Sequence, residues 1–127
     1  DFFFSCCGSS RWAAGMAGCR PFWNIQVVYN AADVIWQCLG DDDRREALRN
    51  RTFTGESSLP AALLDDIGYY RNKFGYEFVV AHPVPSPEEL HATLRRRLEY
   101  AARAEFDLSV REEFSMMRSR VRDRITA

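Results

Sequence analysis

Apolar residues recur at intervals of three and four along most of this chain, and that period restricts it to helices. Val28, Ala32, Ile35 and Leu39 follow four-three-four spacing; Leu90, Leu94 and Leu98 line a second face. Val110, Phe114, Met117, Val121 and Ile125 form a third stripe near the end of the sequence. Val27, Val28 and Tyr29 favour a strand, but three residues do not outweigh a face sustained over three turns.

Punctuation divides this pattern into elements. Ser10 is placed to cap a short helix running through Met16, with Gly18 ending it before Arg20-Pro21. Asn24 caps the next helix and Gly40 stops it. Asp41 to Asp43 suit the first turn of a third helix reaching Asn50, where their charge meets the positive end of the dipole. Residues 51–58 read as a loop rich in Thr, Ser and Gly. A helix is expected from Leu59 to Lys73, with Pro60 in its first turn. Residues 76–81 are apolar and read as an extended segment buried between helices, and His82-Pro83-Val84-Pro85 prolongs it. Ser86-Pro87-Glu88-Glu89 then opens a helix as a capping box with proline at the first helical position. The expectation is an all-α, single-domain bundle of six or seven helices spanning residues 1–127, with no sheet.

Composition bounds the function. The chain has 127 residues, 46% of them apolar and 28% charged, which suits one globular core. A formal net charge of -1 argues against a nucleic-acid or anionic-membrane partner. No apolar run reaches the roughly 20 residues of a membrane span. Phe2-Phe3-Phe4 has neither the basic region nor the cleavage motif of a signal sequence. Cys6, Cys7, Cys19 and Cys38 lack zinc-site spacing, and Cys6 and Cys7 are too close in sequence to pair readily. Buried thiols in a reducing cytoplasm are therefore expected, with no metal and no cofactor. Lys73 is the single lysine beside many arginines. That bias follows from a GC-rich genome, or from a need for planar grips on carboxylates.

Few side chains are candidates for chemistry. On the last helix Arg118 and Arg122 flank one side of the apolar stripe, and Arg120 and Arg124 flank the other. Either pair could grip an anion, or could lie solvated against Glu112, Glu113 and Asp123. His82 and His91 are the two histidines, too few for a metal. His91 beside Glu88 reads as a surface residue. Cys7 would be a nucleophile only if the start of the helix at Gly8-Ser9-Ser10 lowered its pKa, and packing is the simpler role. Gly8-Ser9-Ser10 lacks the length and lysine of a phosphate-binding loop.

Three signatures add a resemblance. They are Cys6-Cys7-Gly8-Ser9-Ser10-Arg11-Trp12 with Met16 and Arg20-Pro21-Phe22; Tyr70-x-x-Lys73-Phe74-Gly75-Tyr76-x-Phe78; and Arg97-Leu98 followed by a basic helix. Together they resemble the 2-oxo-4-hydroxy-4-carboxy-5-ureidoimidazoline (OHCU) decarboxylases of urate breakdown. Counting from Arg97-Leu98, the family's two glutamates and its Arg-x-Arg pair fall on Glu105, Glu112, Arg118 and Arg120. The resemblance implies a compact helical decarboxylase fold without a cofactor, in which Arg120 and the backbone of Phe78, Val79, Val80 and Ala81 hold a small anionic or ureide-like substrate. Arg124, one turn beyond Arg120, is expected to matter little.

The family's catalytic His-Pro and Glu-Gln pairs are missing. Arg49-Asn50-Arg51-Thr52-Phe53-Thr54-Gly55 stands where a His-Pro-x-x-Gly loop should follow Leu48, and the Glu-Gln helix is absent. His82 and Arg51 are the groups left to replace the lost histidine, His82 because it follows the substrate-contacting segment. The resemblance therefore implies a weak decarboxylase or lyase, or a fold recruited to another small substrate such as a specialised metabolite. The alternative is an inactive member serving as a small-ligand-binding or protein-interaction module. A homodimer is an open alternative to a monomer.

Overall fold

Side-chain caps set three of the helix starts. In this computed structural model, which describes residues 2–51, 59–80 and 86–126, the described residues form seven α-helices and no strand. They are α1 (Phe2–Cys6), α2 (Ser10–Gly18), α3 (Ile25–Gln37), α4 (Asp41–Asn50), α5 (Ala61–Phe74), α6 (Pro87–Leu98) and α7 (Ala102–Thr126). The all-α expectation holds. Helix α1, with Phe3 and Cys6 buried, was not anticipated, because five residues carry too little period to read.

Asn24 and Ser86 cap as the sequence suggests, accepting from the amides of Val27 and Glu89. The cap of α2 is Ser9 rather than Ser10, its hydroxyl accepting from the Trp12 amide. Ser10 turns outward, and its amide and hydroxyl both donate to Glu46 on α4, at 2.8 and 2.6 Å. Helix α3 stops at Gln37, before Gly40, and Gly40 instead precedes α4. Arg44 Nη2 donates to the carbonyls of Trp36 and Gln37 and so satisfies the end of α3 from outside. Pro60 occupies the position before α5 rather than its first turn.

The buried apolar residues form two clusters. One joins α1, α2, α3 and the later part of α7 around Trp12, Met16, Trp36 and Met117. Trp12 is fully buried, and its indole N–H donates to the Ala32 carbonyl at 3.0 Å. The other joins α5, α6, the extended segment and Phe106 around Tyr70, Phe78 and Leu94. Helix α4 serves both, with Ala47 in the first cluster and Leu48 in the second, while Val110 on α7 packs against each.

An ionic network ties the second cluster together. Arg97 lies on the apolar stripe of α6 with its side chain 2% exposed, against a Glu105 side chain that is fully buried. Its Nε and Nη2 donate to the Glu105 carboxylate at 2.6 to 3.0 Å, Nη2 also to Ser109 Oγ, and Nη1 to the Val79 carbonyl at 2.6 Å. The Tyr70 hydroxyl donates to Glu105 from α5. Val79 is thereby held without a strand ladder. Tyr76, Phe78 and Val79 are buried and Val80 half-buried, as expected for that segment; Ala81 and His82 lie outside the described residues.

Removing one member of this network strands the others in an apolar interior. Arg97→Met is expected to lower stability by about 3–5 kcal/mol, and the double variant Arg97→Met/Glu105→Met by less than the sum of the two singles. Urea unfolding of the four proteins measures both.

Candidate functional site

The resemblance signatures resolve into structural joints. Cys6 and Cys7 are buried, Gly8 abuts α4, Ser9 caps α2 and Ser10 bonds Glu46. A Cβ on Gly8 would lie 2.6 Å from the Asn50 Cβ, so only glycine fits, and the Asn50 amide donates to the Gly8 carbonyl at 2.9 Å. In the second signature, Tyr70 reaches Glu105, the Lys73 ammonium donates to the Leu98 carbonyl, and Gly75 ends α5 at a φ of 84°. Phe74, Tyr76 and Phe78 surround the Tyr70 ring. The spacing from Arg97 to Glu105 is that of the buried ion pair.

These joints bring Arg51 and Arg120 together. Arg51 follows the last residue of α4, where the Glu77 amide donates to the Leu48 carbonyl and docks the extended segment. Its Nη1 donates to Glu113 Oε2 at 2.9 Å. Arg120, one face away from Arg118 on α7, donates from Nη1 to Glu113 Oε1 at 3.1 Å and to the Cys6 carbonyl at 2.9 Å. Two guanidiniums thus share one carboxylate. Glu113 is fully buried, Arg51 is 7% exposed and Arg120 is 22% exposed. Burial pulls the Arg51 pKa down from its ordinary value, and the Glu113 charge opposes that shift. The Arg51 Nε is buried and has no hydrogen-bond partner among the described residues.

Sequence reasoning named Arg51 and Arg120 but gave Glu113 only as a solvated partner of the α7 arginines, favouring Glu112 by position; Glu113 is paired with Arg120 and is buried. The available signal was spacing: Glu113 lies three residues after Val110 and four before Met117, on the apolar stripe itself. Phe78 and Val79 contribute buried side chains, with the Phe78 ring 4.7 Å below the Arg97 guanidinium. Among the described residues, nothing accepts a hydrogen bond from the amides of Phe78, Val79 or Val80. Arg124 donates to Ser5 Oγ and approaches Cys6 Sγ at 3.9 Å, which joins α7 to α1.

The other candidates are placed elsewhere. Arg118 pairs with Asp33 at 3.4 Å and, with Tyr29, Phe114, Ser119 and Arg122, lines an open groove of about 510 Å³ between α3 and α7. His91 is half-buried and hydrogen-bonded to Asp66 on α5 at 2.5 Å, so it is a helix-to-helix contact rather than a plain surface residue. All four cysteines are free; Cys6 and Cys7 are buried as expected, whereas Cys19 and Cys38 are exposed. Burial pushes the Cys7 thiol up to about 12, with the Glu113 charge adding to the shift, so Cys7 stays protonated and is no nucleophile. Among the described residues, no cluster of His, Cys, Asp or Glu is arranged to hold a metal, and no helix is long and apolar enough to cross a membrane.

Comparison with solved structures places this arrangement. The chain matches a crystal structure of OHCU decarboxylase in the presence of (S)-allantoin with a TM-score of 0.82 and 22% identity, over 98% of this chain and 97% of the other. This is the OHCU decarboxylase fold. A crystal structure of (S)-allantoin synthase also shares the fold, with a TM-score of 0.74 and 19% identity over 96% of this chain. The chain spans about half the length of that second protein, 48%. No protein-family model and no curated protein matches the sequence. Within the OHCU decarboxylase fold, the signature residues of this chain act as its joints.

Two outcomes check this geometry. Gly8→Ala is expected to destabilise by about 1–3 kcal/mol through its clash with Asn50, whereas Gly68→Ala, in open space on α5, should stabilise by about 0.5–1 kcal/mol. Thermal unfolding of both variants measures the contrast. The raised Cys7 pKa means that above the ordinary thiol value the native state holds a proton the unfolded chain has released. Its contribution is fully present below about pH 9 and is lost as pH rises towards 12. Cys7→Ala should flatten that alkaline decline in unfolding free energy.

Proposed function

We propose that the chain is a diverged OHCU decarboxylase relative that binds a small anionic or ureide-like molecule at Arg120 and Arg51, recruited to a substrate other than the urate-derived one. The observation that carries this reading is the pair of guanidiniums sharing the single Glu113 carboxylate, at the position where the resemblance puts the substrate arginine. The fold likeness supports it. Arg120 engages its neighbours through Nη1, so its Nη2 and Nε, without partners among the described residues, remain to grip a ligand.

The chemistry of the cluster favours holding over turnover. Arginine stays protonated at any ordinary pH and is a poor proton donor or acceptor. A guanidinium on a departing carboxylate stabilises the ground state, in which that group carries the charge, more than the transition state, in which the charge has moved away. Decarboxylation therefore needs a second group to protonate the carbanion, and the family's histidine is missing from the sequence. His82 is our candidate for a residual acid, and the backbone of Phe78 to Ala81 for amide contacts to the ligand. General acid–base help is worth roughly two to four powers of ten, which sets the expected loss.

The experiment supplies freshly generated urate-derived substrate and follows S-allantoin by circular dichroism. Turnover at least a hundredfold below an intact OHCU decarboxylase is expected, and equal turnover overturns the reading. A thermal-shift panel of ureides, purines and keto acids is expected to yield at least one stabilising ligand. At a hundred times the dissociation constant the stabilisation should be about 2.7 kcal/mol. Arg120→Ala should abolish that shift. Absence of any shift across the panel favours the protein-interaction alternative.

A further inference from the structure

The Arg51 side chain is more than nine-tenths buried, yet it satisfies only part of its donor set. Its Nη1 is bonded to Glu113, while its Nε is buried and, among the described residues, nothing accepts its proton. A buried charged donor left open is costly, and native structures close such positions with water or a ligand. The neighbouring charges add a second, independent constraint. Arg51 and Arg120 together carry two positive charges and Glu113 returns one negative charge. Glu77, which also faces Arg51, is already held by Arg71 Nε at 2.8 and 2.9 Å. Arg124 is directed at Ser5 and Cys6, with its side chain exposed to solvent. Among the described residues the cluster is left with one uncompensated positive charge, an unused buried donor on Arg51, and Nη2 and Nε of Arg120 without partners.

We propose that Arg51 is a ligand-anchoring residue that makes this site selective for small monocarboxylates, its Nε and the Arg120 guanidinium receiving the ligand carboxylate beside Glu113. This rests on the ligand-binding reading given above and narrows it by charge. A neutral ligand would leave the Nε donor weakly satisfied and the positive charge uncompensated. A dianion would place a second negative charge against the buried Glu113 carboxylate. A monoanion meets both demands.

Three probes of similar shape separate these cases by calorimetry at neutral pH: N-carbamoylglycine (monoanion), its amide (neutral) and N-carbamoylaspartate (dianion). Wild-type protein is expected to bind the monoanion at least tenfold more tightly than either of the others. Arg51→Lys keeps the charge beside Glu113 but loses the side-facing Nε donor. It is expected to weaken the monoanion at least tenfold, while its thermal unfolding shows that it remains folded. Glu113→Gln raises the local charge by one, so preference should move to the dianion. Equal binding of the acid and its amide, or full affinity in Arg51→Lys, overturns the proposal. Full affinity in Arg51→Lys together with loss in Arg120→Ala would leave the ligand-binding reading standing and assign the Nε position to water. No binding of any probe to wild-type protein overturns both.

Discussion

The contact between Arg97 and Glu105 governs the second half of this fold. Burying two opposite charges costs several kcal/mol each unless hydrogen bonds replace the lost water. Here they do: the guanidinium meets Glu105, Ser109 and the Val79 carbonyl, and the carboxylate also accepts from Tyr70. These partners come from α5, α6, α7 and the extended segment. Any other packing of the four leaves a charge unsatisfied in an apolar interior. That specificity matters most for residues 76–80, which have no ladder of their own and are held by the Val79 carbonyl gripped by Arg97 and the Glu77 amide bonded to Leu48.

Most of the architecture was legible because helices announce themselves locally. The stripes through Val28, Leu94 and Met117, and the caps at Asn24 and Ser86, each need only a few neighbouring residues to be recognised. The errors arose where a distant residue intervened. Ser9 caps α2 because Glu46 engages Ser10, and α3 ends early where Arg44 reaches back to it. The site was half legible for the same reason. Arg120 was found through register, and Arg51 through the gap left by the missing motif. Glu113 needed the realisation that a glutamate on an apolar stripe is buried and must have partners. Arg97 sent the same signal, seven residues after Leu90 on the stripe of α6.

The fold likeness and the functional reading rest on different residues. Gly8, Ser9, Tyr70, Lys73, Gly75 and Arg97 join helix to helix, so retaining them retains the fold whatever chemistry the pocket performs. The groups that would move a proton belong to the stretch where this sequence departs from the resemblance. On the proposed reading Arg51, which stands in that stretch, brings a fixed positive charge where the resemblance implies a titratable imidazole. A site that once exchanged protons would thereby become one that holds an anion.

The hydrogen bond from Arg120 to the Cys6 carbonyl spans 114 positions of sequence, and that from Arg51 to Glu113 spans 62. Contacts at such separations form only after the intervening chain has been gathered, and their loop-closure entropy weighs against early formation. The proposed anion site is therefore expected to form late in folding. Partly folded chains in which α7 has not docked have neither Glu113 nor Arg120 in place, and would carry none of the proposed affinity. Ligand occupancy would then count finished molecules alone, and binding would draw the population towards the complete fold by mass action.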